Sequence, residues 1–301
     1  MLSAEAVRVR APAKVNLHLS VGPLRPDGYH ELVNVFHAVD LVDEVVASPA
    51  GRLSLTIAGE GAAELPTDRA NLVWQAVALL AETVGIDDPA VRLELTKTIP
   101  VAGGMAGGSA DAAAALLACA RLWRVHADLP ALAGRLGSDV AFPLLGRTAV
   151  GTGRGELLRP VPTTGRLHWA FALADGGISA SAAYGELDRQ RAAGTAPPPA
   201  GDPDALLDAL AAGDLGRIAA ALVNDLQPAA LALRPTLADT LAAGSEGGAR
   251  AGIVSGSGPT CAFLCADEDA AEQVAAALVA AGVCRAARVA SGPAPGARVV
   301  A

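Results

Sequence analysis

The sequence predicts an α+β protein of two domains, and three features carry that prediction. The chain of 301 residues has room for two domains of ordinary size. Its first half mixes strand-like alternation with helical periodicity. Its second half closes on a strand–turn–strand–helix–strand series, the pattern of an α+β sandwich. Hydrophobic residues make up 52% of the chain but aromatics only 3%, so the core has to be built from Ala, Leu and Val.

Along the chain, residues 6–11 and 15–21 read as strands around a turn at Pro12, and 24–28 as a turn rich in Pro, Asp and Gly. Residues 30–40, 44–48 and 52–58 look extended; in the last, Leu53, Leu55 and Ile57 alternate with polar neighbours. A helix is predicted over 71–84, because Leu72, Ala76, Leu79, Leu80 and Val84 share a face, with Asn71 as its cap and Gly85 as its stop. A strand over 91–98 leads into a glycine-rich turn and a long helix over 109–123. Pro, Gly and Thr gather at 160–165, which sets an expected boundary between a domain of residues 1–162 and one of residues 163–301. There follow a strand at 167–173, a Pro/Gly/Ala-rich surface loop at 192–202 and helices to residue 243. Strand 252–255, a glycine turn, strand 260–265, helix 267–281 and strand 285–290 complete the chain. No internal repeat is visible.

Asp and Glu outnumber Lys and Arg by 31 to 23, for a net charge of −8, and no basic cluster offsets this. Nucleic acid and anionic membrane are therefore poor partners, whereas an anionic small substrate remains open to a few local cations and backbone amides. Mean hydropathy is positive, yet the apolar run 274–284 is too short to cross a bilayer, and 251–266 is interrupted by Gly and Pro. The first fourteen residues carry Glu5, Arg8, Arg10 and Lys14 instead of an apolar signal core, so a cytoplasmic protein is expected. Cys119, Cys261, Cys265 and Cys284 form no CxxC pair and read as small buried side chains in a reducing compartment. No metal ligand set is readable, and no obligate protein partner is evident.

The informative segment is Pro100, Val101, Ala102, Gly103, Gly104, Met105, Ala106, Gly107, Gly108, Ser109 and Ala110, which leads into an alanine-rich helix. Four glycines allow backbone angles closed to other residues, so that successive amides can turn toward one anion. Ser109 stands where the helix is predicted to begin, beside unpaired N–H groups at the positive end of the helix dipole. A tight turn needing glycine only for packing is the plainer alternative. No lysine precedes Ser109, so this is not a Walker loop. Met105 occupies the second glycine position of a dinucleotide fingerprint, so that fails as well. A different kind of phosphate binder is left. A second glycine turn, Ser255-Gly256-Ser257-Gly258, needs no purpose beyond reversing the chain.

Six pieces occur in order: Ala11-Pro12-Ala13-Lys14-Val15-Asn16-Leu17, Arg25-Pro26-Asp27-Gly28-Tyr29-His30, the glycine loop, Gly137-Ser138-Asp139-Val140, Asn224-Asp225-Leu226 and Ser255-Gly256-Ser257-Gly258. In these the chain resembles the galactokinase, homoserine kinase, mevalonate kinase and phosphomevalonate kinase superfamily, from residue 11 to about residue 264. The glycine loop is shared across the superfamily. Lys14, Asn16 and the run Asp27-Gly28-Tyr29-His30 narrow the resemblance to the family of diphosphocytidyl-methylerythritol kinases. The resemblance implies an N-terminal ribosomal-protein-S5-like domain that binds ATP and a C-terminal ferredoxin-like α/β sandwich that binds substrate, with the active site in the cleft between them. It implies ATP with Mg²⁺ as cofactors and phosphorylation of the 2-hydroxyl of a cytidine-diphosphate-linked sugar alcohol, a step toward isoprenoid precursors. A homoserine or mevalonate type of kinase, or a catalytically silent nucleotide-binding protein, is the rival reading.

The resemblance also assigns roles. Asp139 becomes the base for the attacking hydroxyl, although from its neighbours alone it reads as a helix cap. Lys14, which in isolation reads as a solvated strand residue, is placed beside Asp139, and Asn16 on the same strand face orients substrate. Tyr29 and Tyr184 are placed on the two faces of the cytosine ring, with His30 reading its edge. The loop departs from the superfamily pattern: Met105 stands for Leu, Ala106 for Gly and Ala110 for a second Ser. If residue 106 needs a positive φ, its Cβ costs on the order of 1 kcal/mol.

Overall fold

The computed structural model describes residues 6–300 and holds two mixed layers of sheet and helix. The first half supplies β1 (Val7–Leu24), β2 (His30–Pro49), β3 (Ser54–Gly59), α1 (Leu72–Val84), β4 (Val91–Lys97), α2 (Gly107–Trp123), α3 (Leu129–Leu136), α4 (Ala141–Leu145), β5 (Thr148–Thr152) and β6 (Leu157–Pro160). The second supplies β7 (Leu167–Leu173), α5 (Ala180–Ala192), α6 (Asp204–Ala212), α7 (Leu215–Ala220), β8 (Val223–Asn224), α8 (Gln227–Leu233), α9 (Leu237–Glu246), β9 (Ala251–Val254), β10 (Cys261–Cys265), α10 (Glu268–Ala280), β11 (Ala286–Gly292) and β12 (Arg298–Val300).

One sheet runs β12-β1-β2-β4-β3, with β5 pairing β2 and β6, and with β8 added parallel to β1. The other runs β11-β7-β10-β9, all antiparallel. The first sheet takes its long strands from residues 7–160, and the second begins at Leu167. Two short segments from late in the chain, β8 and β12, cross back to β1.

The local expectations for α1 hold closely. Asn71 caps it by accepting from the Val73 amide at 2.9 Å, and Gly85 ends it in the left-handed region at φ 74°. Three expectations need correction. Pro12 makes no turn: β1 continues through it, with a register shift between Pro12 and Ala13 that removes the need for a ladder donor there. β2 likewise runs unbroken across residues 41–43, because Asp43 finds a buried cation in the tertiary structure. Helix α2 starts at Gly107, two residues before the expected Ser109.

Helix α2 lies against β1, β2 and α1, and Ala110, Ala112, Ala113, Ala114, Ala115 and Ala118 are wholly buried on it. Short side chains on nearly every face let the helix approach the sheet closely, which positions the loop before it without bulky spacers.

Beneath that loop sits a buried ionic group. Lys97 Nζ contacts Asp43 Oδ2 at 2.5 Å and Asp111 Oδ2 at 2.7 Å. Asp43 Oδ1 also accepts from the Thr98 and Ile99 amides at 2.5 and 2.8 Å. Strand β2, the end of β4 and the first turns of α2 are thus tied to one ammonium. Burial pushes the Asp111 carboxyl well above the usual range, opposed by Lys97. Burial lowers the Lys97 ammonium, but the two carboxylates outweigh it and hold its pKa above the ordinary value. Replacing Lys97 with Met leaves two buried carboxyl groups without a counter-charge. The expected loss is about 3–5 kcal/mol of unfolding free energy, measured by urea denaturation; a loss below about 1 kcal/mol would contradict this account.

Candidate active site

A cavity of about 680 Å³ opens where the two sheets meet, and its wall is drawn from most of the predicted segments. Pro100, Ala102, Gly103, Gly104, Ala106, Gly107 and Gly108 line it together with Lys14, Asn16 and Asp139 and with Tyr29, His30 and Tyr184. Four residues of the predicted loop do not reach the wall. Met105 and Ala110 are buried in the core instead, and Val101 and Ser109 are half-buried behind the surface.

The loop has the geometry of an anion cradle. No side chain caps α2, and the Ala110 amide makes a hydrogen bond of the first turn, to the Ala106 carbonyl at 2.9 Å. The amides of Gly107, Gly108 and Ser109 precede it, at the positive end of the helix dipole. Gly104 is required for space as well as for its φ of 74°: a Cβ there would meet the Ser255 carbonyl oxygen at 2.0 Å. Ala106 does adopt the positive φ that its glycine-like position demands, at 59°, and Ala102 does so at 53°.

Lys14 is buried, 4% exposed, on β1. Its ammonium donates to Asn16 Oδ1 at 2.6 Å and to the Gly104 carbonyl at 2.9 Å, and lies 3.8 Å from Asp139 Oδ2. Burial lowers its pKa from the ordinary 10.5, and Asp139 opposes the shift. Asn16 passes the chain of bonds on to Asn34 Oδ1 at 2.9 Å. Asp139 lies between α3 and α4 and caps neither: α4 has Val140 at its N-cap and no side-chain cap. The capping reading of Asp139 is therefore set aside, and its carboxylate faces the cavity.

The second glycine turn does more than reverse the chain. Ser255 Oγ donates to the Gly104 carbonyl at 3.1 Å, and a Cβ on Gly256 would lie 3.3 Å from both that carbonyl oxygen and Lys14 Nζ. Asn224 holds the turn by donating to the Val254 and Gly256 carbonyls at 2.8 and 2.7 Å. The two glycine segments, far apart in sequence, form one wall.

Of the aromatic residues in the wall, Tyr29 is half-exposed (52%), with the Arg154 guanidinium 5.0 Å from its ring centre. The His30 and Tyr184 rings stack at 5.1 Å and 18°. Burial pushes the Tyr184 phenol above its usual range, reinforced by Asp139. The expected pair of tyrosines is present, but Tyr184 packs on His30, and His30 Nε2 is engaged by Asp188 at 3.0 Å. Sequence reasoning missed Asn34, Arg154 and Asp188. Arg154 sits between two glycines, a spacing that marks an exposed turn; nothing in the spacing marks the other two.

Comparison with known proteins shows the family. Residues 71–147 match the GHMP kinases N terminal domain and residues 206–284 match GHMP kinases C terminal. The chain is 58% identical over 297 residues to the 4-diphosphocytidyl-2-C-methyl-D-erythritol kinase of Nocardia farcinica, covering 98% of this chain and 96% of that one. It is 58% identical over 298 residues to the enzyme of the same name from Mycobacterium tuberculosis, covering 98% and 93%. A crystal structure of 4-(cytidine 5'-diphospho)-2C-methyl-D-erythritol kinase superposes with TM-score 0.78 at 34% identity, over 94% of this chain and 98% of that one. Homoserine kinase from Cytophaga hutchinsonii shares the fold, at TM-score 0.76, 20% identity and 98% and 97% coverage. The fold and loop therefore define a two-domain α+β kinase of the GHMP class. Within that class the chain belongs to the 4-diphosphocytidyl-2-C-methyl-D-erythritol kinase family.

The strained alanine supplies a test. Ala106→Gly relieves the left-handed penalty at the mouth of α2 and is expected to raise stability by about 0.5 kcal/mol, after the added unfolded-state entropy is counted. Urea unfolding reads the change, and a variant less stable than the parent would overturn it.

Proposed function

We infer that this kinase transfers the γ-phosphoryl group of ATP to the 2-hydroxyl of 4-diphosphocytidyl-2-C-methyl-D-erythritol, a step in isoprenoid precursor synthesis by the methylerythritol phosphate route. The observation that carries this reading is the meeting, in one cavity, of the amide cradle, the Lys14–Asp139 pair at 3.8 Å and the aromatic residues Tyr29, His30 and Tyr184. The cradle suits a triphosphate, the pair suits an alcohol, and the aromatic residues suit a base.

In this mechanism the amides of Gly107 and Gly108 hold the phosphates of ATP, and the wall of Pro100, Ala102, Gly103 and Gly104 shields them. Asp139 accepts the proton of the 2-hydroxyl as its oxygen bonds to the γ-phosphorus, and ADP leaves with the β,γ-bridging oxygen. Lys14 keeps Asp139 ionised, and Asn16 fixes the direction of Lys14 and meets the substrate. Tyr29 supplies a stacking surface for cytosine. Among the described residues no cluster of three His, Cys, Asp or Glu side chains stands ready for a metal. A hard cation such as Mg²⁺ takes oxygen ligands, and Asp139 and Ser138, which line the same cavity, would offer them. A bound Mg²⁺ would supply charge neutralisation to the transferring phosphates. Four free cysteines agree with a cytoplasmic setting.

A coupled ADP-release assay with the cytidine-linked alcohol, ATP and Mg²⁺ tests the reading directly. Folded protein without turnover on that substrate, but with turnover on homoserine or mevalonate, would replace it with the rival kinase reading. Asp139→Asn should lower kcat by at least about 10²-fold while leaving ATP affinity near the parent value. Unchanged kcat would remove Asp139 from the base role.

A pH profile tests Lys14. Its ammonium acts in the charged form and its pKa is lowered by burial, so kcat/KM should fall as pH rises through a value below 10.5. Lys14→Arg, which stays charged at any working pH, should lose that alkaline limb whatever its residual rate. An alkaline limb of the same position in both proteins would assign it elsewhere.

A further inference from the structure

A charged side chain of α5 lines the cavity without a part in the transfer chemistry described above. Asp188 stands on α5 one turn after Tyr184, so the two reach the same neighbour. Tyr184 covers a face of the His30 ring, and Asp188 Oδ1 engages its edge at Nε2, 3.0 Å away. A single helix face therefore holds the imidazole by plane and by edge. His30 is 7% exposed, and all three residues line the cavity.

A carboxylate only accepts hydrogen bonds, so the Nε2 facing it carries the hydrogen. In the neutral ring Nδ1 is then a lone-pair acceptor. Among the described residues no group is hydrogen-bonded to Nδ1, and it is not one of the buried polar atoms without a partner. It is the open edge of the ring.

We propose that Asp188 is a positioning residue that sets the choice of pyrimidine, by fixing His30 as the Nε2–H tautomer with Nδ1 as an acceptor toward the ring bound at Tyr29. Cytosine offers its exocyclic amine as a donor to such an atom. Uracil presents a carbonyl at the same ring position, which sets lone pair against lone pair. The inference rests on the cytidine reading of these aromatic residues and adds the group that enforces it.

Two measurements test it without requiring turnover. Ring ¹⁵N shifts of His30, assigned with a His30→Gln control, should show the Nε2–H tautomer in the parent and a mixture in Asp188→Ala. Calorimetric titration should show cytidine 5′-diphosphate preferred over uridine 5′-diphosphate by at least about tenfold in the parent. In Asp188→Ala that ratio should shrink at least about fivefold, with affinity for a non-hydrolysable ATP analogue unchanged. Asp188→Asn, whose amide can donate to Nε2, should shrink it as well, and Asp188→Glu should restore part of it. A merely structural aspartate would weaken both pyrimidine nucleotides equally; an unchanged ratio overturns the proposal. So does the Nδ1–H tautomer in the parent, or a parent with no cytidine preference. If tautomer and preference are as stated but the cytidine-linked alcohol is not phosphorylated, the function reading fails and the assignment of Asp188 stands.

Discussion

The Gly104 carbonyl oxygen is the point on which the site depends. It accepts from the Lys14 ammonium on the first sheet and from the Ser255 hydroxyl beside the second, at 2.9 and 3.1 Å. A buried ammonium is costly unless its hydrogens are spent on good acceptors. Lys14 spends them on Gly104, Asn16 and the nearby Asp139. The requirement of one cation therefore fixes the height of the phosphate loop, the distance to the base and the approach of the second glycine turn together. A side chain at residue 104 would break all three, since its Cβ would meet the Ser255 carbonyl.

A second lysine plays the complementary part below the loop. Lys97 joins Asp43 and Asp111 in a dry setting, tying two strands to the helix whose N-terminal amides form the cradle. The two lysines differ in the direction of their pKa shift for a simple reason. Lys97 has two close carboxylates that outweigh its burial; Lys14 has one at 3.8 Å that does not. One is a fixed cation that holds the scaffold, and the other is a cation whose charge is open to pH, placed in the wall of the cavity.

Much of this was legible beforehand. The caps of α1, the edges of β7 and the order strand, glycine loop, helix depend on neighbours in sequence, and each was readable from residue type and spacing. The strand β1 was read as broken at Pro12, and β2 as two extended stretches with 41–43 left between them. Pairing with distant partners overrides those local signals: a register shift accommodates the proline, and Lys97 neutralises the aspartate. Asp188 gave no signal at all, since its meaning lies in a histidine 158 positions earlier.

By itself, then, the sequence determined most of the elements, the glycine turn before α2 and the family, because backbone freedom at glycine, helix periodicity and motif order are properties of short stretches. The tertiary structure decided which side chains became chemical. Whether Lys14 is a solvated strand residue or a buried ammonium, whether Asp139 caps a helix or faces a cavity, and which nitrogen of His30 carries its proton are set by burial and by partners remote in sequence. Those are differences in solvation and hydrogen bonding, and they exist only once the two sheets have closed on one another.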